Sequence, residues 1–568
     1  LHAVDCGPRN YEDGAKIDVF VNKVGPYANI HETYHYYQLP LCRPQKIVHK
    51  SLSLGQVLDG DRMAESAFLV KFGQSIPTQS LCGEQHIPEE ESRKLIEAIE
   101  EDYYFELIID DLKVRNFIGY VTEAKVFPHE HNVFIYTHFA YYITANKDSV
   151  LDIALVMDSA QELHHEQPVL LNLKYSVHWN ATELPISSRT KEGAVHFSNR
   201  TMRIHWLSVL NSALLVCLLV LLVSIIIFSS VKRDLSKYNT EEDGDLLLDN
   251  GWKTIGMDVF RFPSHPMLLS AIIGVGLQFL VIGACILVIG SLNLMNVHRH
   301  GLLNTLSVVL YALTSCIAGY ASSSKYRQFQ GKNWIANINL TSFLFAGPMI
   351  FAWSINNSVS WAYQSTQALP WTTVLVVLGI WLVFGYPLTI IGGILGRGLN
   401  SKYSAPCRTR TVPRQLPPLS CLYSTPVFSA IGGFLPFSAI CVELYYIFST
   451  MWGRESYTLF YMVLIVFVLT IIVVACCAVA LTYFQLNLED YRWWWRSVFL
   501  GGSVGVFVFC YGIYFLYYRS EMKGLVQLTE FFTHLFLLCY VTFLSMGTIS
   551  HWASHKFIVY IFSSVKSD

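Results

Sequence analysis

From Trp206 to Ile549 the chain is a succession of apolar windows: 206–230, 267–292, 302–322, 334–355, 370–395, 427–448, 458–484, 497–518 and 525–549. Each approaches or exceeds the roughly 20 residues that a helix needs to cross a bilayer. The hydrocarbon layer offers no water to backbone amides, so a continuous apolar run of this length satisfies them internally, as an α-helix. No hydrophilic gap among the windows is long enough for a second soluble domain. The chain reads as a polytopic α-helical membrane protein with nine transmembrane helices. Its 52% hydrophobic and 14% charged content agrees, since soluble domains carry about 25% charged residues. A net charge of −2 gives no reason to expect nucleic acid as a partner.

Lysine and arginine orient the bundle. Seventeen fall in the loops after the odd-numbered windows and in the C-terminal segment, against four in the loops after the even ones. The positive-inside rule then places the N-terminus in a lumen and the C-terminus in the cytosol. A start at Leu1, without methionine, reads as a mature chain whose signal peptide has been removed.

Residues 1–204 read as a lumenal, β-sandwich-like ectodomain. Lys16–Asn22, Asn132–Thr144 and Val169–Trp179 are β-branched and aromatic with partial alternation, the pattern of half-buried strands. One helix stands out near 88–102, with Pro88 in its first turn, Glu89 to Glu91 at its positive end and a stripe of Leu95, Ile96 and Ile99. A hairpin is expected from Phe105–Ile109 and Val114–Val121, turning at Asp110 and Asp111. Of three cysteines here, Cys42 and Cys82 are expected to pair, because each lies in the body of the β domain whereas Cys6 sits near an end. Cys6 with either of them is the rival connectivity. Asn180 and Asn199 head glycosylation sequons, Asn180 being the better acceptor; Asn339 within a window and Asn356 in a tight loop are expected to stay bare.

Within the windows, ionisable groups are the candidates for function. Glu443 lies in a window loosened by Gly432, Gly433 and Pro436, and Glu530 and His534 stand one turn apart in the last. Glu443 reads first as a carboxyl bonded to a neighbouring helix through hydroxyls such as Tyr445 or Tyr446, and second, with Glu530 and His534, as an ion or proton path. Glu530 is expected to remain hydrated near the lumenal end. No basic partner or internal duplication supports the path. Arg492-Trp493-Trp494-Trp495-Arg496 reads as an interfacial anchor to the lipid bilayer, with a substrate-stacking aromatic box as the rival. Glycines such as Gly274, Gly276, Gly392, Gly396, Gly432, Gly433, Gly501 and Gly505 mark close helix approaches. His298 and His300 read first as part of a loop packed under the ectodomain and second as a pH sensor, and Glu241–Asp245 as a solvated linker. No nucleophile elbow, phosphate loop or zinc-type spacing occurs, so neither catalysis, metal nor cofactor is expected.

Six stretches resemble the transmembrane-9 superfamily, the nonaspanins: Asn22-Lys-Val-Gly-Pro-Tyr27 with Glu32-Thr-Tyr-His-Tyr-Tyr37; Asn250-Gly-Trp-Lys253 with Asp258-Val-Phe-Arg-Phe-Pro263; Asn296-Val-His-Arg-His-Gly301; Gly432-Gly-Phe-Leu-Pro-Phe437; Val442-Glu-Leu-Tyr-Tyr-Ile447; and Glu489-Asp-Tyr-Arg-Trp-Trp-Trp-Arg-Ser497. The resemblance implies a lumenal ectodomain over nine spans (1–204 and 205–550), residence in Golgi and endosomal membranes, sorting and surface delivery of transmembrane cargo with glycine-rich spans, and a link to autophagy. It also implies that the segment 551–568, read as a cytosolic tail, ends in a Golgi-retention signal, Lys566 and Asp568, taken up by the COPI coat. The aromatic run Phe557–Tyr560 reads either as an opposing export signal or as an amphipathic segment on the membrane. No enzymatic activity comes with the resemblance.

Overall fold

The computed structural model describes residues 10–564 except 30, 124–130, 165–167, 186–188, 190–198, 241–250, 293–300, 400–404, 418–422, 453–459, 521 and 523. Its N-terminal part holds two principal sheets. In one, Ser149–Leu163, His131–Asn146, Val169–Ala181 and Ile76–Ile87 lie in that order, and Gly119–Glu123 also pairs with His131–Asn146. In the other the order is Tyr34–His35, Val19–Pro26, Tyr103–Ile109 and Leu112–Phe117, with Ala64–Glu65 also on Val19–Pro26. Period-2 alternation sends every second side chain to one face. Phe105, Leu107 and Ile109 thereby share a core with Phe139, Tyr141 and Ile143 of the facing sheet. The Phe68 ring fills the space between, edge-on to Phe139, Tyr141 and Tyr175. This is the expected sandwich.

The helix runs from Glu89 to Glu100 with Pro88 as its cap, and it buries Leu95, Ile96 and Ile99. The hairpin is shorter than its residues imply. Asp110 and Asp111 do turn it, both at positive φ, but the second strand ends at Phe117. After Ile118 the chain crosses to the other sheet, where Gly119 aligns with Ile135. Propensity marks Val114–Val121 as one extended run; the change of sheet within it depends on the distant partner strand.

Nine helices among the described residues are long and apolar enough to cross a membrane: Val209–Asp234, Pro266–Ser291, Leu302–Gln328, Trp334–Ala362, Trp371–Gly398, Thr425–Trp452, Phe460–Asn487, Trp493–Tyr518 and Leu525–Ser564. They are called the first to ninth spans below. The fifth passes through a single π turn at Trp381–Gly385. The eighth is interrupted at Ser503, whose hydroxyl donates to the Ser429 carbonyl of the sixth at 2.6 Å.

Most of the glycines singled out in the windows face the chain's own helices. A Cβ on Gly276 would lie 2.1 Å from the Thr548 hydroxyl, one on Gly392 1.9 Å from the Cys316 carbonyl, and one on Gly501 2.3 Å from the Met546 carbonyl. Gly433 meets Ser503 in the same way. Backbones approach there because no side chain intervenes.

The segment from His551 onward is not a free tail as far as Ser564. The ninth helix continues to that residue and buries His551, Ala553, Ser554, Ile558, Ile561 and Phe562. Phe562 lies edge-on to Trp252 at 5.4 Å. Its apolar character, consistent with a membrane-surface segment, is used instead against the chain's own loops.

Candidate functional site

The β domain sits directly on the bundle, and the segment after Tyr27 makes much of the contact. A Cβ on Gly25 would stand 2.2 Å from the Glu32 carbonyl, so only glycine lets the chain fold back this tightly and turn residues 31–33 toward the spans. The buried Thr33 carbonyl accepts from the Thr366 amide at 2.8 Å and the Ser365 hydroxyl at 2.9 Å. Glu32 accepts from Gln527 at the start of the ninth span and from the Tyr34 hydroxyl. Gln38 donates to the Gln364 carbonyl, and Arg62 to the Ala368 carbonyl at 2.7 Å.

His31 is the centre of this junction. Its Nδ1 lies 3.4 Å from Glu530 Oε1, its Nε2–H donates to the Met451 carbonyl, and its ring stacks on His534 with centroids 5.8 Å apart. Burial, and then the neighbouring His534, lower the His31 pKa to about 4. Glu530 is 4% exposed, contrary to the expectation that it stays hydrated: the 31–33 segment lies across the end of the ninth helix and shuts water out. His534 Nδ1–H donates to the Glu530 carbonyl one turn back, so the ring is fixed by the backbone. Glu443 is buried in the sixth span, whose Leu444 and Phe448 share a core with Phe531 and Leu535 of the ninth.

Behind His31 lies a buried ionic cluster on the outer face of the sheet. Asn22 donates to Asp61 at 2.8 Å and to Glu106 at 2.7 Å; Lys23 pairs with Asp61 and Arg115 with Glu106. Burial works against the charge of Lys23, but Glu106, Asp61 and Asp59 outweigh it and raise its pKa. Glu106 falls between Phe105 and Leu107 in the strand, so alternation turns it away from the sandwich core and into this cluster. The Asn22-Lys-Val-Gly-Pro-Tyr27 stretch thus supplies the polar anchor and the tight bend together.

On the opposite face of the bundle, the Trp493–Arg496 run is a correction to the interfacial-anchor reading. Trp493 is fully buried and Trp494 nearly so. Their indole N–H groups donate to the carbonyls of Val259 and Arg261, and that of Trp495 to Ser264. Trp493 and Trp494 stack with centroids 3.9 Å apart and lie against His551. Arg496 is buried, paired with Asp490 at 3.3 Å and set over the Phe428 ring. Arg492 also pairs with Asp490, but its side chain is 59% exposed. Indoles prefer an interface when only water can take their N–H; here the 258–264 loop offers carbonyls. The same run clamps that loop to the eighth and ninth spans, and Arg414 pairing with Glu489 extends the clamp.

Cys42 and Cys82 form a disulfide with Cα atoms 5.8 Å apart. Asn180 is exposed on the Val169–Ala181 strand, and Asn199 opens the helix that leads into the first span. Asn339 accepts from the Tyr386 hydroxyl inside the bundle. Asn356 is buried within the helix Trp334–Ala362 rather than in a loop. Lys566, Asp568, His298, His300 and 241–245 lie outside the described residues. Residue 301 next to the histidines does meet the β domain, since a Cβ on Gly55 would be 2.1 Å from the Gly301 carbonyl.

Sequence reasoning placed Glu530 and His534 together but missed His31, Glu32 and Thr33 as their cover. The signal was present in the Glu32–Tyr37 stretch, although nothing local shows what a histidine just before it touches. The arrangement can couple the position of the β domain to the ends of the spans beneath it.

A family profile described as Endomembrane protein 70 matches residues 33–525. Transmembrane 9 superfamily member 1 of Mus musculus is 48% identical, with 99% of this chain and 95% of that protein covered. Transmembrane 9 superfamily member 4 of Arabidopsis thaliana is 39% identical over 99% of this chain and 96% of its own length. A Dictyostelium discoideum protein named "Putative phagocytic receptor 1b" is 39% identical over 98% and 95%. No solved structure matches. With nine apolar helices among the described residues, a β-rich domain before them and this near end-to-end similarity, the chain belongs to the Endomembrane protein 70, or transmembrane 9, family.

Proposed function

We propose that this chain is a Golgi and endosomal membrane protein that assists the sorting, trafficking and surface delivery of other transmembrane proteins. Its N-terminus is lumenal and its C-terminus cytosolic, it has no catalytic role, and it has a link to autophagy. The observation that carries the reading is the contrast between a closed interior and an open periphery. Glu443 and Glu530 are buried, and neither the cleft on the β domain, the cleft beside Tyr326 nor the groove beside the first span is lined by Glu443, Glu530 or His534. The first and fifth spans, by contrast, have only 17% and 11% of their windows buried. Such a body supports presenting helix faces to other spans better than conducting ions. The receptor role in the name of the Dictyostelium relative points the same way.

The test compares the surface proteomes of cells with and without the protein. The expected outcome is the selective loss of a set of transmembrane proteins that proximity labelling also captures. An unchanged surface proteome, with ion or proton flux that depends on Glu443, replaces sorting by transport. The retention signal is tested separately. Lys566→Ala, or residues appended after Asp568, is expected to abolish COPI binding and move the protein past the Golgi; unchanged residence and binding refute it.

A further inference from the structure

The cleft on the β domain has a volume of about 580 Å³ and adjoins the junction through Gln38, Arg62 and Gln364. Arg43, Lys94 and Arg62 line it, with the rings of His35 and His49 and, from the bundle, Gln364. None of its thirteen lining residues is acidic. The interior carboxylates Asp61 and Glu106 are already matched by Lys23 and Arg115. Neither Arg43 nor Lys94 has an ion-pair partner among the described residues. Arg62 spends donors on the carbonyls of Asp61 and Ala368, and a guanidinium carries five N–H in all. The positive field registers on His35: burial, then Arg62, then His49 lower its pKa to about 4, which leaves a neutral ring that both donates and accepts.

The cleft is built rather than accidental. The Cys42–Cys82 disulfide fixes the residue before Arg43 against the sheet, and the Cys42 amide donates to Gln85. Gln38 reaches the Gln364 carbonyl at 3.2 Å, which closes one side with the bundle. The volume falls within the roughly 300–1,000 Å³ of small-ligand sites. A peptide captured as an added strand needs an unpaired edge, and Ala64 at the cleft is already paired with Val21 on one side and His49 on the other. Polar lining, imidazole and phenol rings and three cations on one cleft match instead a ring-shaped, hydroxylated, anionic group.

We propose that this cleft binds an acidic saccharide, whose sulfate or carboxylate is held by Arg43, Lys94 and Arg62. Arginine and lysine bind such groups through charge-assisted hydrogen bonds, with arginine able to engage both oxygens. The site stands independently of the sorting role.

The experiment uses the full chain in nanodiscs and titrates it calorimetrically at low salt with a fully sulfated heparin disaccharide, inorganic sulfate and a poly-aspartate peptide. The disaccharide is expected to saturate one site. Arg43→Glu with Lys94→Glu weakens it by at least about tenfold, the loss expected of one charge-assisted hydrogen bond. Arg93→Glu, on the same helix but outside the cleft, changes it less than about twofold. In the unmutated protein, bound disaccharide protects Lys94 from amine acylation read by mass spectrometry, so the outcome does not rest on variants that fail to fold. Equal weakening by Arg93→Glu, or no saturable binding, overturns the site. Sulfate or poly-aspartate binding as tightly as the disaccharide overturns the saccharide.

Discussion

The first and fifth spans and the eighth and ninth spans are alike as apolar helices, yet they hold opposite positions. The first is among the most hydropathic, with a mean hydropathy of 3.1, and only 17% of its window is buried; the ninth, at 1.6, is 44% buried, and the eighth, at 1.9, is 50% buried. Among these four spans the two more hydropathic are the more exposed, whereas the seventh, at 3.3, is nonetheless 39% buried. Lipid tails are as apolar as leucine, so apolar side chains gain little by leaving them, whereas hydroxyls and close backbones gain by meeting each other. The eighth and ninth spans accordingly meet through Ser497 to His551 Nδ1 at 3.0 Å and Ser550 to the Ser497 carbonyl at 2.6 Å. The first and fifth turn Leu214, Leu221, Leu375 and Phe384 outward.

Paired substitutions test this division. The largest difference is expected for tryptophan. Trp493→Ala removes a fully buried indole together with its bond to the Val259 carbonyl and costs about 3–5 kcal/mol. Trp371→Ala, at a side chain 71% exposed on the fifth span, costs less than about 0.5 kcal/mol. Thermal unfolding in nanodiscs measures both, and comparable losses would break the comparison.

Glycine gives the next contrast. A Cβ on Gly501 runs into the Met546 carbonyl, and one on Gly379 of the fifth span meets nothing within 4 Å. Gly501→Leu is expected to cost about 1–3 kcal/mol or to abolish monodisperse expression, while Gly379→Leu elutes and melts like the wild type. A Gly379→Leu that folds but loses captured cargo would sharpen the comparison by locating a partner on the fifth span.

The ninth span also carries the junction with the β domain, so it alone of the four is expected to feel pH through His31. The folded pKa of about 4 lies below the unfolded value of about 6.5. The docked state therefore keeps its full contribution above about pH 6.5 and loses it progressively toward pH 4. Near pH 5.5 the loss is on the order of 1 kcal/mol. The titratable groups acting on His31 are Glu530, His534 and Lys23, and His31→Gln is expected to remove its own part of the pH dependence. Hydrogen exchange of residues 31–38 at pH 7.4 and 5.5 reads it; equal protection at both values in the wild type contradicts the expectation. The smallest effect belongs to Leu214→Ala and Leu221→Ala, each expected to shift stability by less than about 0.5 kcal/mol.

Residue pattern alone determined the nine spans, the β-sandwich, the helix after Pro88 and the choice of Cys42 with Cys82 over Cys6. Each rests on a local signal: a run of apolar residues, an alternation, a cap, or a cysteine placed within the body of a domain. Tertiary structure decided what those signals left open. Trp493 and Trp494 read as membrane anchors until the 258–264 loop, more than two hundred residues earlier, supplies carbonyls for their N–H groups. Glu530 reads as hydrated until His31, some five hundred residues away, covers it. The segment after His551 reads as a tail until Trp252 and Phe260 give Phe562 a surface to bury. In each case the local chemistry was legible, but the partner lay far along the chain. Whether a polar or aromatic group faces water, lipid or protein depends on that partner, because the cost of an unsatisfied group disappears only when a particular donor or acceptor arrives.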